Sequence, residues 1–296
     1  MPQFTLSYKT QRKWLIFGFL LVPISLVTVF GLYPTYQLIR LSFTNWNGFM
    51  PNMQWVGWAN YKAVLTDPDI FSTFGHNAVY LVWGLIQNAV GLFFAILLNS
   101  RIRGRNLYRA TLFLPYIMNG TAVAFMFSYM YHSQIGSLNA VLSLFAAEPV
   151  KISWLGRPEL VNHSLAFVGL WKNAGFSMVI YLAALQSISA DMIEAAKIDG
   201  AGRLQLLRSI ILPSIVKVIE LNLFLIVIGS LEVFDLPFLL TKGGPLGASE
   251  TFVTKTVDTA FEYSNFGLAS SMSVVLIIFV AAVLTVQRLV IRRWDH

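Results

Sequence analysis

The sequence predicts an all-α integral membrane protein: six transmembrane helices, with a polar helical hairpin between the fourth and the fifth. Three observations carry this. Of 296 residues, 56% are hydrophobic and only 12% charged, about half the charged share of ordinary soluble domains. Six stretches reach the roughly 20 apolar residues that a helix needs to cross a bilayer: 14–39, 78–98, 110–131, 165–187, 215–236 and 268–287. Lysine and arginine, finally, are divided unequally between the connecting segments. Lys9, Arg12 and Lys13, then Arg101, Arg103, Arg105 and Arg109, then Lys197, Arg203, Arg208 and Lys217, then Arg288, Arg292 and Arg293 fall on one side. Lys62, Lys151, Arg157, Lys242 and Lys255 are spread over the longer loops of the other. Positive charge marks the cytoplasmic face, so both termini and the hairpin are expected there. The net charge of +7 belongs to topology and anionic lipid and gives no reason to expect nucleic acid. Cysteine is absent, which excludes disulfides and thiolate chemistry.

The first span follows three basic residues and is too long for the core of a signal peptide, so it is expected to be retained. Pro23 and Pro34 are compatible with a membrane helix and each is expected to kink it. Trp46, Trp55 and Trp58 follow closely and suit the outer membrane–water boundary. Between spans two and three, four arginines crowd a short loop. Topology and lipid phosphates account for them more simply than an anionic substrate. The loop 132–164 should hold a short surface helix near 135–142. Thr241-Lys-Gly-Gly-Pro245 is a rigid turn. The chain shows no low-complexity segment and no repeat of 20 to 50 residues, which fits one membrane domain over residues 1–296.

Ala190–Ser214 is too polar to cross a bilayer and too regular for a random loop. Asp191 and Glu194 suit a helix start, where carboxylates meet free N–H groups. Ala195 and Ala196 expose almost no side chain, so another surface can approach closely. Just after Asp199, Gly200 and Gly202 break the run, since glycine accepts positive φ. A second run from Arg203 to Leu212 should stop at Pro213, which has no N–H to donate. On these grounds alone the segment is a helix–turn–helix hairpin or an ordinary amphipathic linker.

The segment resembles the cytoplasmic coupling motif of ABC importer permeases, E-A-A-x3-G-x9-I-x-L-P, here Glu194, Ala195, Ala196, Gly200, Ile210, Leu212 and Pro213 with every spacing kept. Other segments are similar to the sugar-type branch of that family. These are Trp55-Val-Gly-Trp-Ala-Asn-Tyr followed by Asp67-Pro68, Arg109-Ala-Thr-Leu-Phe-Leu-Pro115, the spacing of Gly136, Asn139 and Leu142, and the loop of Gly243, Gly244 and Pro245. The resemblance implies a permease subunit of a binding-protein-dependent ABC importer for a sugar, polyol or oligosaccharide. It also implies a second, related permease (a heterodimer), two ATPase subunits that receive the hairpin, and an extracytoplasmic binding protein that meets the Gly243–Pro245 loop. No G-x4-G-K-[ST] phosphate loop occurs, so ATP and Mg would be bound by the partner ATPases and no cofactor is expected in this chain. A non-transporting membrane scaffold that recruits an ATPase is the alternative.

No catalytic constellation is apparent, and His76, His132, His163 and His296 lack metal-ligand spacing. The informative polar groups are inside the membrane, where an ionisable side chain marks a functional site by default. Lys172 lies roughly 12 Å into the fourth span, and Glu232 and Asp235 lie near the outer end of the fifth. Lys172 has three readings: it snorkels to the outer headgroups, pairs with Glu232 or Asp235, or lines an aqueous path with them. The resemblance favours the path, because the helices flanking the coupling loop line the family's cavity. Trp171, Asn173, Phe176, Asn222 and Ser230 supply the aromatic and amide groups a sugar needs. Glu220 is expected to pair with Lys217 one turn before it.

Overall fold

The structure is a computed structural model that describes residues 7–51, 53–100 and 102–292. Arg101, Arg293 and His296, which enter the charge and histidine readings above, lie outside the described residues. In chain order the helices are α1 (Tyr8–Leu41), α2 (Ala59–Thr66), α3 (Thr73–Asn99), α4 (Arg105–Ile117), α5 (Gly120–Met130), α6 (Ser137–Ser143), α7 (Pro158–Gln186), α8 (Ala190–Ile198), α9 (Arg203–Leu206), α10 (Val216–Leu231), α11 (Asp235–Leu240), α12 (Phe252–Phe261) and α13 (Phe266–Arg292). Among the described residues there is no strand, only an isolated bridge between Thr44 and Trp55. Among the described residues five helical stretches, one of them α10 taken with α11, are long and apolar enough to cross a membrane, and six if α4 and α5 form one bent span. The all-α membrane class is therefore as the sequence predicts.

The chain divides into two compact units. The first holds residues up to Val64 together with Asp258–Val275. In it, α1 buries none of its side chains, and its residues from Trp14 to Tyr33 are exposed on every side, as suits a lipid-facing span. The segment after α1 is knotted by Asn60, whose Nδ2 donates to the carbonyls of Ser42 (2.9 Å) and Thr44 (2.8 Å). Phe43 stacks on Trp55 with ring centroids 5.1 Å apart. The Trp55–Tyr61 motif thus has a local structural role, folding the chain back at the end of the first span.

The second unit, Leu65–Val257 with residues from Leu276 onward, contains the helices that frame the site. Packing of α3 on α7 is close because Gly91 has no side chain. A Cβ there would lie 2.5 Å from Ser177 Cβ. Gly175 permits still closer contact between α7 and α4, since a Cβ there would stand 2.0 Å from the carbonyl oxygen of Leu112. Small residues are what let helix backbones meet in a membrane, where apolar surface gives no special drive to association. Buried amides then lock the contacts. Asn88 Oδ1 on α3 accepts from the Tyr181 hydroxyl on α7 (2.5 Å) and from Asn222 Nδ2 on α10 (2.7 Å). Gln87 Nε2 donates to Ser177 Oγ at 3.0 Å. Each such bond contributes about 0.6–2 kcal/mol in a membrane.

Three sequence expectations need correction. The third span is not one helix over 110–131. Met118 (ψ 140°) and Asn119 (ψ 135°) leave the helical basin, and α4 and α5 meet at 97°. Asn119 then caps α5 by accepting from the Thr121 N–H at 2.8 Å, a turn signal hidden inside an apolar run. The fifth span likewise breaks after Leu231 and restarts at Asp235. There Asn77 Nδ2 captures the carbonyls of Ser230 (2.9 Å) and Leu231 (3.0 Å), which would otherwise lack helical partners. Pro213, finally, does not stop the helical run. The helix widens into a π turn over Leu207–Ile211, with Leu212 N–H bonded to Leu207 O, continues through Leu212–Ser214, and breaks only at Ile215 (φ −107°, ψ 8°), just before α10. The same device precedes Pro34, where the π turn Thr28–Leu32 closes with Tyr33 N–H on Thr28 O. A proline ring clashes with the carbonyl four residues back, here Phe30 and Ser209. A wider turn moves that carbonyl aside.

Candidate functional site

The two interrupted spans face one cavity of about 430 Å³ within the second unit, a size typical of ligand sites. The breaks themselves contribute to its wall. Tyr116 and Gly120 flank the α4–α5 break, and Glu232, Phe234 and Asp235 flank the α10–α11 break. The helix α7 supplies the neighbours Lys172 and Asn173 and, one turn on, Phe176, and α3 supplies Tyr80 and Gln87.

Lys172 Nζ and Asp235 Oδ2 lie 3.5 Å and 3.8 Å from where a Cβ on Gly120 would stand. No ion pair joins Lys172 to Glu232 or Asp235 among the described residues. The expected direct pair is therefore absent, and all three groups line the cavity instead. Phe176 stacks on Tyr116, centroids 4.6 Å apart and 16° from parallel, making an aromatic part of the cavity wall. Asn173 donates its amide to the Gly169 carbonyl at 2.8 Å.

Not every expected residue stands free. Trp171 lies outside the cavity lining. It packs edge-on against Phe127, centroids 5.3 Å apart, in the core around Tyr80 and Leu165. Asn222 and Ser230 touch the cavity but are 1% and 6% exposed. The amide of Asn222 is committed to Asn88, and the carbonyl of Ser230 to Asn77. Sequence reasoning missed Tyr80, Gln87 and Tyr116, because polar and aromatic residues in apolar spans carry no sign of which side they face. Glu220 does not pair with Lys217 among the described residues; its backbone carbonyl instead accepts from Gln287 Nε2 at 3.4 Å.

The segment 190–213 is a helical hairpin. Its first helix is capped by Ser189, whose side chain accepts from Met192 N–H at 3.2 Å, so Asp191 stands in the first turn and is not the cap. The turn is a Schellman motif. Gly200 sits at φ +86°, its N–H bonds Lys197 O (3.1 Å), and Ala201 N–H bonds Ala196 O (2.9 Å). Asp199 is the last residue before that glycine, whereas Gly202, expected to use the same freedom, is extended at φ −72° because it starts the second helix. The hairpin's apolar residues are open: Ile198 is 86% and Leu204 60% exposed. Glu194 and Ala195 are exposed as well, and Ala196 is half-buried. Ile210 and Leu212 lie in and just after the π turn that leads to α10.

The loop after α11 is tightly tied. Ser249 N–H bonds the Gly243 carbonyl at 3.1 Å, and Thr241 Oγ1 meets Ser249 Oγ at 2.7 Å. Gly244–Pro245 is a cis peptide, and Leu246 at the tip is fully exposed. Glu250, at the base, pairs with Lys255 at 3.1 Å.

Residues 87–296 match the family described as binding-protein-dependent transport system inner membrane component. The chain is 31% identical over 280 residues to the multiple sugar-binding transport system permease protein MsmF of Streptococcus mutans, covering 94% of this chain and 96% of that protein. It is 31% identical over 278 residues to the trehalose/maltose transport system permease protein MalF of Thermococcus litoralis, covering 93% of each. Its fold is similar to that of a chain in the crystal structure of a bacterial ABC transporter involved in the import of the acidic polysaccharide alginate. There the TM-score is 0.84 at 22% identity, over 96% of this chain and 97% of that one. A chain of the bacterial alginate ABC transporter in complex with an alginate pentasaccharide-bound periplasmic protein gives a TM-score of 0.82, also at 22% identity, over 97% of each chain. The chain therefore belongs to the inner membrane components of binding-protein-dependent transport systems: it is the permease subunit of an ABC importer, a transport subunit and not an enzyme.

Proposed function

We propose that this permease forms half of the translocation path for a saccharide or related polyol, delivered by an extracytoplasmic binding protein. The observation that carries the reading is the polar, aromatic-walled cavity at the two broken spans, in the same chain as an open hairpin with the full E-A-A spacing. Both compact units then act as one transmembrane domain. Both termini and the hairpin lie in the cytoplasm, as the lysine and arginine distribution favours. Two ATPase subunits bind ATP and Mg and close. Each receives one hairpin, here and on a second, related permease. Glu194 makes a polar contact, Ala195 and Ala196 allow close approach, and Asp191, Asp199 and Gly200 fix the helix ends. The helical run through Ile210, Leu212 and Pro213 joins α10 through the single turn residue Ile215 and passes the motion to it, and α10 reaches the cavity at Asn222. On the outer side, the stiff loop at Gly243, Gly244 and Pro245 offers Leu246 to the binding protein.

The cavity sets Glu232 and Asp235 against the single ammonium of Lys172. That balance favours an uncharged saccharide over an acidic one, since like charges at close range disfavour an anion. Trp171 supports the wall from behind, and Asn222 and Ser230 hold its shape, while Lys172, Asn173, Phe176 and Glu232 are placed to touch the substrate.

The test is affinity purification of the tagged chain in mild detergent, followed by uptake measured with the recovered partners. We expect an ATPase, a second six-helix permease and uptake competed by neutral but not by uronic-acid oligosaccharides. Recovery of the chain alone, or with an ATPase and no uptake, points instead to a scaffold. Competition only by uronic acids overturns the charge argument.

A further inference from the structure

Away from the cavity, α10 and α13 enclose a groove of about 490 Å³. It lies at the ends of these helices that carry basic residues. Leu221, Phe224 and Leu284 line its apolar part, and Leu221 and Phe224 are 52% and 39% exposed. Lys217 and Arg288 stand at its rim, both exposed, and neither is in an ion pair among the described residues. Glu220 shares the rim and is half-buried without an ion pair among the described residues. Gln287 lies beside it with Oε1 buried and unpartnered.

Water alone does not match this set. Two cations, one carboxylate and one spare amide acceptor border the same groove as its apolar part. From Lys217 to Phe224 is seven residues, roughly 10 Å along the helix, a large part of the ~15 Å half-thickness of a bilayer core. An amphiphile that carries both charges at one end fits each part. We infer that the groove is a binding site for a phospholipid with a phosphoethanolamine headgroup. The phosphate lies between Lys217 and Arg288, and the ammonium donates to the Glu220 carboxylate. A small turn of the Gln287 amide, at the loss of one long hydrogen bond to Glu220 O, gives its oxygen a donor on the same headgroup. One acyl chain lies along Leu221, Phe224 and Leu284. A choline headgroup has no N–H to donate, and a glycerol headgroup brings no charge to Glu220, so both bind more weakly. The inference needs only that the chain sits in a membrane and is independent of the transported substrate.

The test is native mass spectrometry of the purified importer complex, titrated with phosphatidylethanolamine, phosphatidylglycerol and phosphatidylcholine. The wild type is expected to retain phosphatidylethanolamine preferentially. Removing both cations in K217Q/R288Q should weaken binding about thirtyfold. E220Q should keep phospholipid binding but lose the preference for ethanolamine over glycerol, a readout that a merely misfolded variant would not give. Equal retention of the three lipids by the wild type, or unchanged binding in K217Q/R288Q, overturns the inference. So does efficient cross-linking of L284C to the second permease, which would mean that protein covers the groove.

Discussion

Gly175→Val is expected to abolish accumulation of the folded chain. A Cβ at this position would meet the Leu112 carbonyl oxygen at 2.0 Å and the Phe113 Cα at 2.8 Å, both backbone atoms of α4. No rotamer relieves a clash with backbone, so α4 and α7 must separate. Overpacking alone typically costs about 1–3 kcal/mol and occasionally more. Here separation would also strain the stack of Phe176 on Tyr116 that forms the cavity wall. Fluorescence-detected size exclusion of a tagged chain should show loss of the monodisperse peak. Gly75→Val is the matched control, since nothing lies within 4 Å of a Cβ there. A normal peak for Gly175→Val would mean that α4 does not pack on α7 as described.

Gly200→Val should leave the chain inserted and folded but abolish uptake. The position is open, with nothing within 4 Å of a Cβ, yet its φ is +86°. A β-branched residue is strained there by roughly 1–2 kcal/mol, enough to undo a two-bond turn but not a membrane domain. The Schellman bonds at Lys197 and Ala196 would be lost, and Glu194 and Ala195 would no longer be presented at a fixed angle to α9. Uptake by the reconstituted complex, alongside size exclusion of the same sample, separates the two effects. Wild-type uptake in Gly200→Val would remove the hairpin from the coupling mechanism.

The spans were legible because the bilayer imposes one requirement, a long apolar helix, that composition reports directly. The hairpin was legible because its glycine and its spacing answer to backbone geometry. The helix breaks were harder to see. Asn119 and Gly120 are ordinary turn residues inside an otherwise continuous apolar run, and what ends α10 is Asn77, far away in sequence. The cavity was half legible for the same reason. Lys172 and Glu232 betray themselves as charges in lipid-length segments. Asn88, Gln87 and Asn222 are alike in sequence, and only their partners separate the helix clamps from the cavity wall. Trp171 and Phe176 are both aromatic and five positions apart on α7, but on a helix that is a change of face.

The two π turns make the chain unequally sensitive to single-residue deletions. Each π turn holds one residue more than an α turn needs, so losing one residue there restores an α turn and leaves the facing of what precedes it nearly unchanged, whereas the same loss within an α stretch rotates what precedes it by about 100°. What such a loss does bring back is the contact between a carbonyl and the ring of Pro34 or Pro213. Before Leu207–Ile211 lies the hairpin that carries Glu194, Ala195 and Ala196. A codon lost from this π turn should cost stability yet leave uptake measurable, because the hairpin keeps its facing. The same loss from α8, a regular helix with no residue to spare, should turn Glu194 and Ala195 away from their partner, giving a null allele in a protein that is made and inserted normally.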